Sequence, residues 1–375
     1  MTVALGGGHA TVAKNLAEAI ATIDSTIETK IIDVISDGWP SFSKTASDAY
    51  VSSTGGLGSF WFRVYYVITN AFPALLRWFG ECFYHDYAVR KYREEQPDLI
   101  IATFPILADV AVQAREECGG KAPVVVIVTD AGNVQGIWAS KRADMTLVAT
   151  PDTINYLVRR GVPKDRIKYC GFPVGREFYS HTDRASLQKK YGFDRNVFTI
   201  LFTAGGAGLN SRKALRVVRQ IAGIKMPYQI ILNAGHNDNL RQRFEALQFP
   251  YATKVVIEGF TDKMRDYALI SDLVCSKCGW LTISEALALQ RPMALYDAIP
   301  GHETQNARYI MHNGLGLYEP NPTKIARRIE HAIANADTLA AYKDTMRRAH
   351  SASSPYPEIT RLLAAYLDMS PRNTV

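Results

Sequence analysis

Three stretches of the chain carry residue types that bind or react with a phosphorylated, hydroxyl-rich molecule. The first is Gly6-Gly7-Gly8-His9, which follows a short apolar run and precedes a helical pattern. Glycines at a strand end admit close approach of backbone to a ligand, and a histidine there points into the space beyond the strand. Neutral imidazole is the usual general base near pH 7, so proton abstraction is the chemistry suggested; a purely structural histidine stays open. The second is Gly205-Gly206-Ala207-Gly208, again just after a strand-like run. These glycines could admit a diphosphate, and turn geometry alone would also explain them. The third is the block from Ser271 to Asn306. Its apolar run ends in a turn at Lys277–Gly279, and Thr282 stands as a helix N-cap with Glu285 at capping-box spacing. The first N–H groups of such a helix lack intrahelical partners and suit a phosphate. A strand from Met293 to Tyr296 then leads to a polar loop, Pro300 to Asn306, rich in groups that bond hydroxyls. An ordinary βαβ unit with a capped helix is the other reading of this block. Finally, Asp130 closes the VVVIVT run and Trp138 follows in the loop. That carboxylate could orient a base, bind a hydroxyl or cap a turn.

Other chemistries are disfavoured. Ala10 and Thr11 break the GxGxxG spacing of a dinucleotide site, and the phosphate-loop signature with its Lys-Ser/Thr is missing. There is no Asp-x-Asp to chelate a metal–diphosphate. Cys275 and Cys278 form a lone CxxC without a completing pair, so no metal site is expected. The net charge of +7 and pI near 9.0 favour an anionic partner. The basic residues are scattered, with small knots at Arg159–Arg160, Arg327–Arg328 and Arg347–Arg348, which argues against nucleic acid. No secretory signal is read at MTVALGGGH, and five scattered cysteines suit a reducing cytosol.

The elements that must position these residues follow from periodicity. Strands are expected at Val3–Leu5, Lys30–Val34, Leu99–Ala102, Val124–Val128, Met145–Val148 and Ile167–Cys170. A second series is expected at Thr199–Thr203, Tyr228–Leu232, Lys254–Glu258, Leu273–Ser276, Met293–Leu295 and Leu315–Leu317. Helical patterns fall between them, and near-continuous apolar strands such as VVVIV fit a fully buried parallel sheet. The expectation is an α/β protein of two doubly wound domains, residues 1–180 and 195–350. A polar linker over Gly175–Asn196 would join them, and a final helix within 355–368 would pack back on the first domain. Ligands of such folds bind beyond the carboxyl ends of the strands, so the interdomain cleft is the expected site. The segment Leu57–Tyr84 breaks the βα rhythm. It is dense in aromatics, and helical spacing aligns Trp61, Val64, Tyr65, Ile68, Phe72, Leu75 and Phe79, with Trp78 beside them. Its uncharged run falls short of the roughly 20 residues of a membrane span. A membrane-interface segment and a buried aromatic helix both fit.

Taken together, GGGH at 6–9, VTD at 128–130 with Trp138, GFPV at 171–174, GFTDKM at 259–264, SKCGWLTISEAL at 276–287 and PGHETQN at 300–306 resemble a known family. It comprises the monogalactosyldiacylglycerol synthases and processive diacylglycerol glucosyltransferases of glycosyltransferase family 28. The resemblance implies a GT-B fold, with an acceptor-binding first domain and a second domain holding a UDP-sugar. The reaction would be inverting and independent of metal or cofactor. His9 would be the base, with Asp130 assisting; Phe260 and Met264 would lie near uracil and Glu285 on the ribose. Leu281, Thr282 and the loop at Gly206 would receive the diphosphate, and Glu303 and Asn306 the sugar. Gly8, Trp61, Tyr65, Phe72, Trp78 and Trp138 would form an acceptor region docked peripherally on an anionic, cytosolic membrane face, with diacylglycerol as acceptor. The resemblance leaves the oligomeric state open. His302, Gln135 and Trp280 depart from the family pattern, which usually has Gln, His and a small residue there. Transfer to a soluble acceptor, UDP-sugar epimerisation and a non-catalytic sugar-nucleotide-binding subunit are the competing readings.

Overall fold

Buried runs of β-branched and aliphatic residues build two all-parallel sheets. The computed structural model describes residues 1–3, 8–21, 26–41, 64, 67–206, 208, 210–335, 337–349 and 356–367. They belong to two units, Met1–Pro173 with Pro355–Val375, and Val174–Ser354. In the first unit, β1 (Ile100–Ala102), β2 (Val124–Ile127), β3 (Met145–Val148) and β4 (Ile167–Tyr169) pair in that order. Every residue of β2 and β3 is buried, as parallel strands covered on both faces require.

The chain start runs alongside this sheet. Met1 O accepts from Thr103 N at 3.1 Å, and Thr2 forms one parallel bridge to Asp33. Of the two strands expected around positions 3–5 and 30–34, the described residues show only that bridge, and residues 4–7 lie outside them. The second expectation ends early because Asp33 caps a short helix, Val34–Gly38: its carboxylate accepts from the N–H groups of Ile35 and Ser36.

In the second unit β5 (Thr199–Thr203), β6 (Tyr228–Asn233), β7 (Ala252–Glu258), β8 (Leu273–Lys277), β9 (Met293–Asp297) and β10 (Gly316–Tyr318) are ordered β10-β9-β8-β5-β6-β7. Helices Ser211–Ala222 and Pro322–Ala334 bury one apolar face each against this sheet. The segment after Val174, expected as a linker, is part of this unit. Arg265 donates to Glu177 O, Ser180 O and Thr182 Oγ1, and Arg184 to Ile270 O and the Asp272 carboxylate, so two guanidinium groups bind the segment to helix Met264–Ile270 and β8's entry. The boundary therefore lies at 173/174, not 180. The final helix, Tyr356–Leu367, groups with the first unit; Ile359 and Leu363 are fully buried, and Tyr366 donates to Asp144 O at 3.3 Å.

Helix Pro73–Glu95 starts with proline at its first turn, where the missing N–H costs nothing. Its later half buries Tyr87, Ala88, Val89 and Tyr92. Its opening half does the reverse: Phe72, just before it, and Leu75, Trp78, Phe79 and Phe83 are all about half exposed or more. Among the described residues no helix is long and apolar enough to cross a membrane.

Candidate functional site

In the first unit the candidate site is built on helix Gly8–Ile20, which carries His9 in its first turn. Buried Asn15 fixes the helix by donating to Pro173 O at 2.9 Å. His9 Nδ1 lies 2.8 Å from Thr103 O and 3.0 Å from Thr129 Oγ1. A carbonyl oxygen can only accept, so Nδ1 carries the proton and Nε2 carries the lone pair in the neutral ring. Thr103 Oγ1 also donates to the His9 carbonyl at 3.3 Å. Phe104 meets the imidazole edge-on at 5.0 Å, and Trp138 lies 6.1 Å from it. The backbone thus sets the tautomer of the ring.

Thr103 and Thr129 were not legible as partners, since each looks like an ordinary strand-end threonine. Asp130, expected to assist, is one residue past Thr129, whose hydroxyl meets the ring. Trp138, expected at the acceptor surface, is 1% exposed and forms a wall beside His9. Its burial follows from the short 3-10 turn Gly136–Trp138, which turns the indole inward. Gly8 has open space where a Cβ would stand. Phe72, just before helix Pro73–Glu95, and Trp78 within it are 60% and 55% exposed. Trp61 and Tyr65 lie outside the described residues, as do Gly6 and Gly7.

In the second unit β5 runs into the glycine turn. Gly205 has φ +78° and Gly208 φ +57°, conformations open to glycine, while Gly206 presents a direction with no heavy atom within 4 Å. The turn is seated by Gly205 N donating to Thr203 Oγ1 and His236 N to Gly206 O. Across from it, Gly279 is the N-cap of helix Trp280–Ala288 and contributes no side chain to capping. Thr282 is therefore inside the first turn and caps nothing. Gly279, in extended backbone, lets the helix begin three residues sooner, so that the N–H groups of Trp280, Leu281 and Thr282 fall in the first turn, where the helix itself offers no acceptor.

Between these two glycine elements passes Lys277, at the end of β8. A Cβ on Gly205 would stand 2.9 Å from its Cε, and one on Gly279 3.5 Å from its Nζ. Its ammonium is ion-paired with the Glu303 carboxylate, which is 3% exposed and accepts from Ile299 N at 2.8 Å. Lys277 was missed; a lone basic residue before a glycine is too common a pattern to single out. The polar loop expected over 300–306 has already become helix His302–His312, entered through Gly301 at φ +105°. Asn306, expected on the sugar, is fully buried and donates to Cys278 O at 3.0 Å, so it ties the β8 turn in place. The His302 side chain lies outside the described residues.

Glu285 is partly buried, and that burial, with Glu177 nearby, pushes its carboxyl up to about 8. Phe260, 67% exposed after β7, stacks on the His236 ring with centroids 4.1 Å apart, and Met264 opens the next helix, half-buried. His236 is a second residue the sequence did not flag. The Cys275 and Cys278 thiols are buried and held protonated by that burial. The first unit thus holds an imidazole whose tautomer is set by Thr103 O, and the second holds glycine backbone, a helix N-terminus and one cation, with the exposed Phe260 ring after β7.

Residues 9–174 match the family described as monogalactosyldiacylglycerol (MGDG) synthase, and residues 199–359 the glycosyltransferase family 28 C-terminal domain. The processive diacylglycerol beta-glucosyltransferase of Staphylococcus carnosus (strain TM300) is 30% identical over 272 residues, covering 72% of this chain and 68% of that protein. Among solved structures, Acinetobacter baumannii MurG superposes with a TM-score of 0.53 at 16% identity over 74% of this chain and 76% of its own. The S. aureus MnaA–UDP co-structure gives a TM-score of 0.59 at 12% identity over 96% and 95%. Those two likenesses concern the fold, the two-sheet GT-B architecture.

Proposed function

The chain belongs to the diacylglycerol glycosyltransferases formed by the MGDG synthases and their glycosyltransferase family 28 relatives, and on that premise we propose that it transfers a hexose from a UDP-sugar to the hydroxyl of a membrane-borne diacylglycerol. The observation that carries this reading is the His9 ring, whose Nδ1–H is engaged by Thr103 O. Nε2 takes the acceptor proton while the acceptor oxygen attacks the anomeric carbon. The C1–O bond to the diphosphate breaks, and its electron pair leaves on the β-phosphate oxygen. A single displacement of this kind inverts the anomeric centre.

The leaving diphosphate is assigned to Gly206 and the N–H groups at Leu281 and Thr282, with Lys277 as the nearby cation, so the charge is met without a metal. Uracil is assigned to Phe260 and Met264, the ribose to Glu285 and the hexose to Glu303. Asp130 is assigned to the acceptor glycerol. The exposed rings at Phe72, Trp78, Phe79 and Phe83 support docking on a lipid surface, and the +7 charge supports an anionic one.

The test is transfer of label from UDP-glucose or UDP-galactose into diacylglycerol liposomes, with and without EDTA. Glucose is the first donor to try, given the activity named for the S. carnosus relative. Lipid-borne label that survives EDTA is expected, and His9→Ala should lower turnover by about 10²–10⁴-fold with UDP affinity kept. No labelled lipid from either donor, or full turnover in His9→Ala, sinks the proposal.

A further inference from the structure

We propose that Arg77, assisted by Asn70, is a positioning residue that clamps the Trp138 loop against His9 and joins that loop to the apolar face at the start of helix Pro73–Glu95. The inference rests on the glycolipid reading above and deepens it by naming what connects the lipid-facing helix to the base. Helical geometry of about 100° per residue puts Phe72, Leu75, Phe79 and Phe83 within roughly 80° of one another and Arg77 about 160° from Phe79. One side of the helix thus carries exposed rings, while the guanidinium on the other side is 19% exposed.

That guanidinium reaches the loop. Arg77 Nη1 donates to Gly136 O and to Ala139 O, each at 3.3 Å, so it bridges the two ends of the turn that contains Trp138. Its Nε stands 3.7 Å from Oδ2 of Asp109, a carboxylate that is 3% exposed and accepts from Ser140 Oγ at 2.6 Å. Asn70, in the helical residues 67–71, completes the clamp: its Oδ1 accepts from Gly136 N at 3.0 Å and from Tyr156 OH at 3.3 Å. Arg160 donates to Asn70 O at 3.1 Å. Two turn carbonyls are thus held by Arg77 of the helix that presents the rings, and a turn N–H by Asn70 just before that helix. Because Trp138 is buried 6.1 Å from the His9 ring, the clamp sets where the base stands relative to the rings that would enter the headgroup layer. An acceptor hydroxyl confined to that layer reaches Nε2 only if this distance is kept.

Arg77→Met and Arg77→Lys test the proposal in the full-length protein. With diacylglycerol vesicles containing phosphatidylglycerol and a UDP-hexose, Arg77→Met should lower kcat at least tenfold. Vesicle co-sedimentation and UDP affinity should stay within twofold, and Arg77→Lys should recover part of the loss. A kcat within twofold of the parent, or a loss that follows weakened vesicle binding, overturns the clamp. If the parent protein itself moves no sugar to lipid, the functional reading fails separately. Hydrogen exchange then decides: amides 134–140 exchanging at least tenfold faster in Arg77→Met, with β2 and β3 unchanged, supports the clamp, and unchanged loop exchange overturns it. Asn70→Ala should reproduce the exchange effect more weakly, which guards against misfolding of a single variant.

Discussion

Replacing Lys277 by methionine isolates a buried ion pair of the second unit. The substitution keeps the length and apolar stem that passes Gly205 and removes only the charge. It leaves Glu303, 3% exposed, with Ile299 N–H as a remaining donor and its counter-charge gone. Removing one partner of a buried ion pair costs about 3–5 kcal/mol because the other charge stays desolvated. Lys277 is 19% exposed and Glu303 keeps the Ile299 N–H donor, so the lower end, about 3 kcal/mol, is expected here. In a unit of this size each kcal/mol lowers Tm by roughly 2–4 °C, giving a fall of about 6–12 °C. Scanning calorimetry, following the transition of the second unit, measures it. Glu303→Gln in the Lys277→Met background should restore most of the loss, since the stranded charge is then gone. A shift below about 3 °C, or a second substitution that adds to the damage, would refute the reasoning that Glu303 depends on Lys277.

Four further outcomes follow from the same geometry. Glu285 has a folded-state pKa near 8, above its ordinary 4.5; the native state therefore holds the extra proton, and stability declines as pH rises from about 4.5 to 8. Tm measured from pH 5 to 9 should fall less steeply in Glu285→Gln than in the parent. Gly206→Ala should fold normally, because its Cβ meets nothing within 4 Å, yet weaken UDP at least fivefold by calorimetric titration if the diphosphate lies there. Gly235→Ala is the contrast: at φ +61° its Cβ would collide with the carbonyls of Gly205 and Gly206, and Tm should drop by several degrees. Phe72→Ser with Trp78→Ser should leave Tm nearly unchanged, as both rings are more than half exposed, while vesicle affinity falls at least tenfold, each ring being worth about 1.5–3 kcal/mol if it is buried in lipid.

The two-sheet architecture was legible because its signal is local. Buried runs such as Met145–Val148, Thr199–Thr203 and Tyr228–Asn233 announce parallel strands by composition, and the helices between them by amphipathic period. Glycine turns after strands, and a histidine behind one, are also local, so Gly206 and His9 could be chosen from spacing. Capping was misjudged at Thr282 because two cap solutions compete there, and Gly279 wins by adopting extended backbone one turn earlier.

Partnership across the sheet is a different kind of information. The sequence by itself determined which residues could act: an imidazole at position 9, glycines at 205–208, carboxylates at 285 and 303, and aromatics from 57 to 84. Tertiary structure alone decided what each of them meets. It brought Thr103, 94 residues away in the chain, onto the Nδ1 of His9 and so fixed the tautomer. It set Lys277 on Glu303, buried Asn306 and Trp138, and left Phe72 and Trp78 outside. These outcomes depend on which strand ends lie side by side and which groups lose water in the process. Periodicity records the preference of a residue for a buried or exposed face, and carries no record of its partner.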